Sequence, residues 1–340
     1  ADKETLTQAE RDLLYALRNF ARFRKDFSVQ VATAYYSVLG NRDAVRNSHL
    51  NVQSSQRAAE RTRALAREGR TTQADLGRLE QQELSSESAW IDAIRRYQRG
   101  LDDFKILLGI PVDTRIRLND DDLKALRIEN PEISVTEAIE IALTARLDYQ
   151  NVLDERQDAA RKVKLAADQF KPGLGLVSSV AMNSQEVTRG FALPNPARYR
   201  WNAGLDLDLP LDRKSERNDY GAALIAQERA DRARVQRHDV ISLEVRENWR
   251  SLEQARRNYE IAELGVKLAE RRVEEQNLLA ELGRAKAQDQ VDAQNDQVSS
   301  LNARTQALVD HTVARLEFWN NMGILYIKEN GQWKDLAHEA

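Results

Sequence analysis

The side chains that could carry out chemistry are scattered along this chain. Its four histidines, His49, His238, His311 and His338, lie far apart without metal-ligand spacing, and there is no cysteine. Thiol catalysis, disulfides and cysteine-bound metal are therefore excluded, while the compartment stays open on this count. No glycine-rich phosphate loop follows a strand and no nucleophile motif is present. Carboxylates are mostly interleaved with Lys and Arg, the pattern of solvated helix faces. One pair stands out by spacing: "DQVD" sets Asp289 and Asp292 three apart, on one face of a helix. These residues argue against an enzyme and call for no cofactor or metal.

A second stretch carries a different signal. "RYRWNAGLDLDLPLD" (198–212) alternates between two kinds of side chain. In an extended strand Tyr199, Trp201, Ala203, Leu205, Leu207 and Leu209 share one side, and Arg200, Asn202, Gly204, Asp206 and Asp208 the other. One face is apolar and aromatic; the other is polar and charged.

The elements that position these residues are mostly helices. Of 340 residues, 41% are hydrophobic and 31% charged, and the six prolines end at Pro210. The proline-free remainder favours very long helices. A formal net charge of −3 offers no basic excess to grip phosphates, which argues against nucleic acid as a partner. There is no run of 18 apolar residues, so no helix is expected to span a bilayer, and the first residues lack a signal peptide's basic start and apolar core. The chain is then soluble, or any membrane contact is made by strands.

Along the chain, residues 6–69 read as helix with a weak point at "LGNRD" (39–43), and residues 74–108 as helix again. Residues 110–133 carry two prolines, an acid cluster and short apolar alternation, which predicts a compact connector with a short strand. A further helix covers 135–170, broken near "RLDYQ" (146–150). Residues 172–185 and 198–212 form two strands around "EVTRGFALPNPA", a loop rich in turn formers. From 214 to 282 the chain is helical for roughly 69 residues, about 100 Å long. There Val245, Trp249, Leu252, Tyr259, Ala262, Val266, Ala269 and Val273 form a stripe that requires a partner helix. An ordinary coiled coil would explain that stripe by itself.

An internal repeat orders these elements. "LAREGRTTQAD" (65–75) matches "LAELGRAKAQD" (279–289) at an offset of 279 − 65 = 214, and "FKILLGI" (104–110) matches "FWNNMGI" (318–324) at 318 − 104 = 214. Upstream, Val31 pairs with Val245 and Tyr35 with Trp249 at the same offset. Each half is thus a long helical hairpin bending near Gly69 or Gly283. A left-handed glycine suits each helix end, and Thr72 with Asp75 makes a capping box for the first returning helix. Asp289 suits a helix start by its charge. Moved back by 214, residues 172–211 fall immediately before residue 1. A further strand hairpin is therefore expected there, with this chain a truncated product.

With the repeat in place, the chain resembles the outer-membrane efflux protein family, the TolC-like export ducts. The resemblance rests on "VATAYYSVL", the two "GR" bends with Asp six residues after each glycine, "LLGIP", "ALTARLDY" and "WNAGLDLDLPLDR", and covers nearly the whole chain. It implies a mainly α fold of long antiparallel helical hairpins of the α-barrel type. One β-hairpin would belong to a trimeric outer-membrane β-barrel, and a small mixed equatorial region would complete the fold. The expected segments are a first helical hairpin (1–110), an equatorial connector (111–135), a helix leading to the strands (136–171), the barrel hairpin (172–212), a second helical hairpin (213–325) and a C-terminal equatorial tail (326–340).

The resemblance further implies a homotrimer in the cell outer membrane with a large periplasmic portion. Its partners would be a periplasmic adaptor, an inner-membrane transporter and outer-membrane lipid. Such a duct passively passes small molecules or proteins in tripartite efflux or type I secretion. On this reading Tyr199, Trp201, Leu205, Leu207 and Leu209 face lipid, and Arg200, Asn202, Asp206 and Asp208 face a wet lumen. Asp289 and Asp292 line the entrance constriction as stacked acidic rings that favour cations. Gly69, Arg70, Gly283 and Arg284 at the bends contact the adaptor. Ala280 and Ala285 stand where some members carry polar gating residues, so the family's locking bonds do not carry over.

Blander readings exist for each feature. Asp289 could only cap its helix, as Asp75 does, and the hairpin could pack its Leu row on the helices. A soluble coiled-coil scaffold or a periplasmic pump adaptor would share the long helical hairpins without lipid-facing strands.

Overall fold

The structure is a computed structural model that describes residues 2–119, 121–171, 173–182, 199–208, 212–282 and 284–326. In chain order the elements are α1 (Asp2–Arg67), α2 (Gln73–Leu107), α3 (Asp121–Ala125), α4 (Val135–Ala145), α5 (Leu147–Asp168), β1 (Gly173–Met182), β2 (Tyr199–Asp208), α6 (Lys214–Glu281) and α7 (Ala287–Asn321). The long helices fall between the prolines, where nothing removes a backbone donor. The repeat reappears in the backbone: α7 starts and ends 214 residues after α2 (287 − 73 and 321 − 107), and α6 ends 214 after α1 (281 − 67).

The chain divides into two compact units, Ala1–Glu10 with Tyr149–His238, and Arg11–Asp148 with Asp239–Ala340. In the first, β1 and β2 pair antiparallel, with Leu174 opposite Leu207, Leu176 opposite Leu205 and Val180 opposite Trp201. Arg161 binds both carboxylate oxygens of Glu4, at 2.8 and 2.9 Å, and Phe170 meets Tyr220 edge-on at 5.9 Å.

In the second unit each repeat folds as a helical hairpin. Arg63 on α1 binds Glu80 and Glu83 on α2, and Arg272 on α6 binds Asp296 on α7. Ile241, Val245, Leu252, Ala255, Val266 and Ala269 form the buried stripe of α6. The hairpins meet where α7 lies on α1 and α2. Polar pairs cross this seam: Thr305 donates to Asp43 at 2.7 Å, Asn47 to Asn302 at 3.0 Å and Gln82 to Asn295 at 2.8 Å.

Two expectations are corrected here. The "LGNRD" weak point is uninterrupted helix within α1. Its helix-disfavouring residues are engaged by neighbours, Asp43 accepting from Thr305 and Gly40 lying close to the Thr305 and Val309 methyls, and Arg42 between them donates to Leu118 O. Tertiary contact outweighs the local propensity cost. The connector holds the short helix α3 instead of a strand, and no strand occurs in its described residues. Asn119 Oδ1 accepts the Asp121 N–H, acids fill the first turn, and Asp122 takes the Tyr35 hydroxyl at 2.5 Å. The acid cluster thus starts a helix, as the positive end of the helix dipole favours.

Candidate functional site

The first bend is built by α1 ending on a glycine. Gly69 has φ +70, its N–H donates to Ala66 O at 3.1 Å, and the Arg70 N–H donates to Leu65 O at 2.9 Å. This double bond satisfies the last carbonyls of the helix and turns the chain. Thr72 then caps α2: its hydroxyl accepts the Asp75 N–H at 3.1 Å and donates to the Asp75 carboxylate at 2.6 Å. At the second bend the Arg284 N–H reaches Leu279 O at 2.8 Å, the same five-residue return. There Lys286 occupies the cap position and makes no side-chain cap bond.

The two bends lie together. Ala59, Leu79 and Ala287 form a small buried cluster with Ala58 and Val291, and the Arg61 guanidinium donates to Ala280 O at 2.8 Å. Arg78 donates to Gln288 at 2.9 Å, and Gln288 donates to Asp292 at 2.9 Å, so a polar chain runs from α2 to the sequence-predicted acid. Asp289 and Asp292 are both half-buried in the first turns of α7, and the Asp289 carboxylate has no hydrogen bond or ion pair among the described residues. A cavity of about 430 Å³ opens beside the bends, lined among others by Arg57, Arg61, Arg70, Asp75 and Gln290. Arg70 and Arg284 are exposed, and Arg70 pairs with Glu68 at 3.3 Å. Gly283 lies outside the described residues.

The strand hairpin has its own geometry. The register places Leu174, Leu176, Val180, Trp201, Leu205 and Leu207 on one face, and Gly175, Ser179, Arg200, Asn202 and Asp206 on the other. Leu176 is 75% exposed, Leu205 74% and Trp201 64%, so this face does not pack on the helices of its unit. Tyr199 and Asp208 close the ladder opposite Met182 and Gly173. Leu209, the "EVTRGFALPNPA" loop and the tail after Tyr326 lie outside the described residues.

No acid–base or nucleophilic constellation is expected from the histidines, and His49 and His311 each have surroundings of their own. The His49 ring lies tilted against Trp90, ring centroids 4.9 Å apart, while His311 is fully buried with Nε2 at 2.9 Å from Asn130 Oδ1. Burial first, and then the nearby Arg315 and Arg256 charges, lower the His311 pKa to about 4. His338 lies outside the described residues.

Sequence reasoning missed one junction. Arg146 separates α4 from α5 with an extended backbone, and its buried guanidinium binds Asp148, Glu244 at 2.6 Å and Asn321 O at 3.2 Å. Gly323 lies directly against it, and Lys25 donates to Gly323 O at 2.7 Å. The "RLDYQ" break was legible, but partners nearly 100 and 175 positions away in sequence were not.

Protein-family models and curated proteins give no match to the sequence. Solved structures do. The outer-membrane channel OprN aligns with 94% of this chain and 71% of its own, at TM-score 0.81 and 15% identity. The outer membrane protein VceC from Vibrio cholerae aligns over 94% and 75%, at TM-score 0.77 and 15% identity. The open-state MtrE outer membrane channel of Neisseria gonorrhoeae aligns over 95% and 72%, at TM-score 0.78 and 16% identity. This chain has the fold of these outer-membrane channels. The channel fold accounts for the long helical hairpins and the strand pair as one architecture. Among the described residues no helix is long and apolar enough to cross a membrane.

Proposed function

We propose that the chain belongs to the outer-membrane efflux proteins and is the subunit of a passive export duct, a homotrimer in the outer membrane with a large periplasmic portion. The observation that carries this reading is the bare apolar face of the strand hairpin on a chain with the channel fold. Two strands are marginal in water, and strands in lipid must join a closed sheet, so the hairpin needs strands from other copies. Leu205, Leu207 and Trp201 then face lipid, and Asn202, Arg200 and Asp206 face the lumen. A soluble scaffold or adaptor would bury the Leu row on its helices, whereas Leu207 is 56% exposed and Leu205 74%.

In this duct the paired bends form the periplasmic entrance. Asp289 and Asp292, repeated three times around the axis, make acidic rings that favour cations. Arg70 and Arg284 present the adaptor-facing surface, and the adaptor in turn connects the duct to an inner-membrane transporter. Efflux of small molecules and type I secretion of proteins both fit such a passage. Leu205→Lys with Leu207→Lys tests the reading. Each charge at mid-bilayer depth costs about 2–4 kcal/mol, so the double variant should lose membrane insertion while Asn202→Lys retains it. Insertion of the double variant at the level of the unaltered chain would contradict the lipid assignment.

A further inference from the structure

The first half of the chain leaves a gap at a place where the second half is filled. On α1 the run "FSVQVATAYY" (27–36) sets Phe27, Val31 and Tyr35 four apart on one face, with Ser28, Ala32 and Tyr36 beside them. Small Ser28 and Ala32 stand between large rings, so elements packed on this face leave space. A cavity of about 440 Å³ opens there, walled mainly by Phe27, Tyr35, Tyr36, Phe104, Leu316 and Leu325. Phe27 and Leu108, each 36% exposed, keep it open to solvent. The positions 214 residues on carry Ile241, Phe318 and Met322 in place of Phe27, Phe104 and Leu108, and all three are at most 1% exposed.

The lining has the chemistry of a ligand site, mostly apolar and aromatic with few polar groups. The Tyr35 ring centroid lies 5.5 Å from that of Tyr36 and 6.0 Å from that of Phe104, so the three rings form a continuous wall. Asp122, half-buried at the start of α3, is the one charged side chain among the described residues that line the cavity. Its carboxylate accepts the Tyr35 hydroxyl at 2.5 Å and the Asn119 amide at 2.7 Å, and it has no ion-pair partner among the described residues. Burial first, and then the bond to Asp122, raise the Tyr35 pKa to about 12, so the hydroxyl keeps its proton and the negative charge stays on Asp122. Arg315 on α7 lies over the Trp319 ring, 6.0 Å from its centroid, and does not line the cavity.

We infer that this cavity binds a small organic cation, its ammonium group against Asp122 and the aromatic wall and its apolar body among Phe27, Leu316 and Leu325. A carboxylate beside an apolar space attracts a cation more strongly than it does in open water, and ring faces add to that attraction. A neutral apolar molecule would use the walls and leave the charge unmet, and an anion would be repelled by it. The cavity walls and Asp122 all belong to one compact unit of a single chain. The site therefore goes beyond the export reading and does not depend on it.

Calorimetric titration of the purified full chain in an uncharged detergent tests this, with benzyltrimethylammonium as the cation, benzyl alcohol as the neutral comparison and phenylacetate as the anion. The cation should bind saturably and about tenfold or more tighter than the alcohol, and phenylacetate should give no saturable heat. Asp122→Asn keeps an acceptor for the Tyr35 hydroxyl and removes the charge, so it should bring the cation down to the alcohol's affinity and leave the alcohol's unchanged. Ser28→Leu, at a half-buried position on the wall, fills the gap and should remove binding of both. A cation that shows no saturable binding, binds no tighter than the alcohol, or binds as tightly after Asp122→Asn or Ser28→Leu would overturn the inference. Conductance in a planar bilayer reads the export account separately, so the failure of either leaves the other standing.

Discussion

The two halves of the chain share helix lengths and backbone turns and differ in the side-chain contacts built on them. Both returning helices, α2 and α7, contain 35 residues, and both end at a left-handed glycine, Gly109 with φ +68 and Gly323 with φ +77. Around Gly109 there is open space, whereas a Cβ on Gly323 would lie 3.0 Å from the Ala145 carbonyl carbon and oxygen. At the bends the first half caps its helix with Thr72 and the second leaves Lys286 without a cap bond. Arg78 in the first half stands where the second has Asp292, and the two are linked through Gln288. The duplication thus preserves helix lengths and turns, while side-chain divergence decides which half is locked, charged or open to partners.

The largest test of this contrast is the pair of helix-ending glycines. Alanine at Gly109 meets only the left-handed backbone cost, roughly 1–2 kcal/mol. At Gly323 the same substitution adds overlap with backbone, for a total of roughly 2–5 kcal/mol. Denaturant unfolding of Gly109→Ala and Gly323→Ala should therefore show the second clearly less stable. Equal losses would mean that the Gly323 junction with Arg146 does not hold the second half.

Acid should act on the second half next. His311 is held at a pKa of about 4 by burial, against about 6.5 for an unfolded histidine, and its first-half counterpart is Tyr97 (311 − 214). Between these values the unfolded chain binds the extra proton. Stability from this site is therefore complete above about pH 6.5, falls as pH drops, and levels off below about pH 4, with a total loss of up to roughly 3 kcal/mol. Unfolding measured between pH 7 and 4 should show this slope, and His311→Asn should flatten it. An unchanged slope in the variant would assign acid sensitivity elsewhere.

The bends give the smallest effect. Thr72→Ala should cost about 1 kcal/mol, while Lys286→Thr should add a cap that α7 lacks and stabilise it by a similar amount. Hydrogen exchange in the first turns of α2 and α7 reads both changes. Opposite shifts sharpen the comparison, and a loss at both bends would contradict it.

Much of this architecture was legible because it depends on local rules. The "GR" bends follow from glycine at a helix end, the hairpin from period-two alternation across 198–208, and the halves from an ungapped offset. The short helix at Asp121 runs against the connector's apolar alternation because "NDDD" supplies a helix start, with acids in the first turn. Helix continuity through Gly40 and the clasp of Arg146 depend on residues far away in sequence, which no local pattern encodes. At the candidate site the two acids were visible by spacing. The Arg78–Gln288–Asp292 chain was not, because it exists only once the two halves pack together.

The central claim is that copies of this chain enclose a water-filled passage across the outer membrane, and single-channel recording in a planar bilayer tests it most directly. The purified oligomer should produce discrete conductance steps that favour cations, and Asp289→Asn with Asp292→Asn should weaken that preference while the steps remain. A protein that stays in water and leaves the bilayer electrically silent would contradict the account.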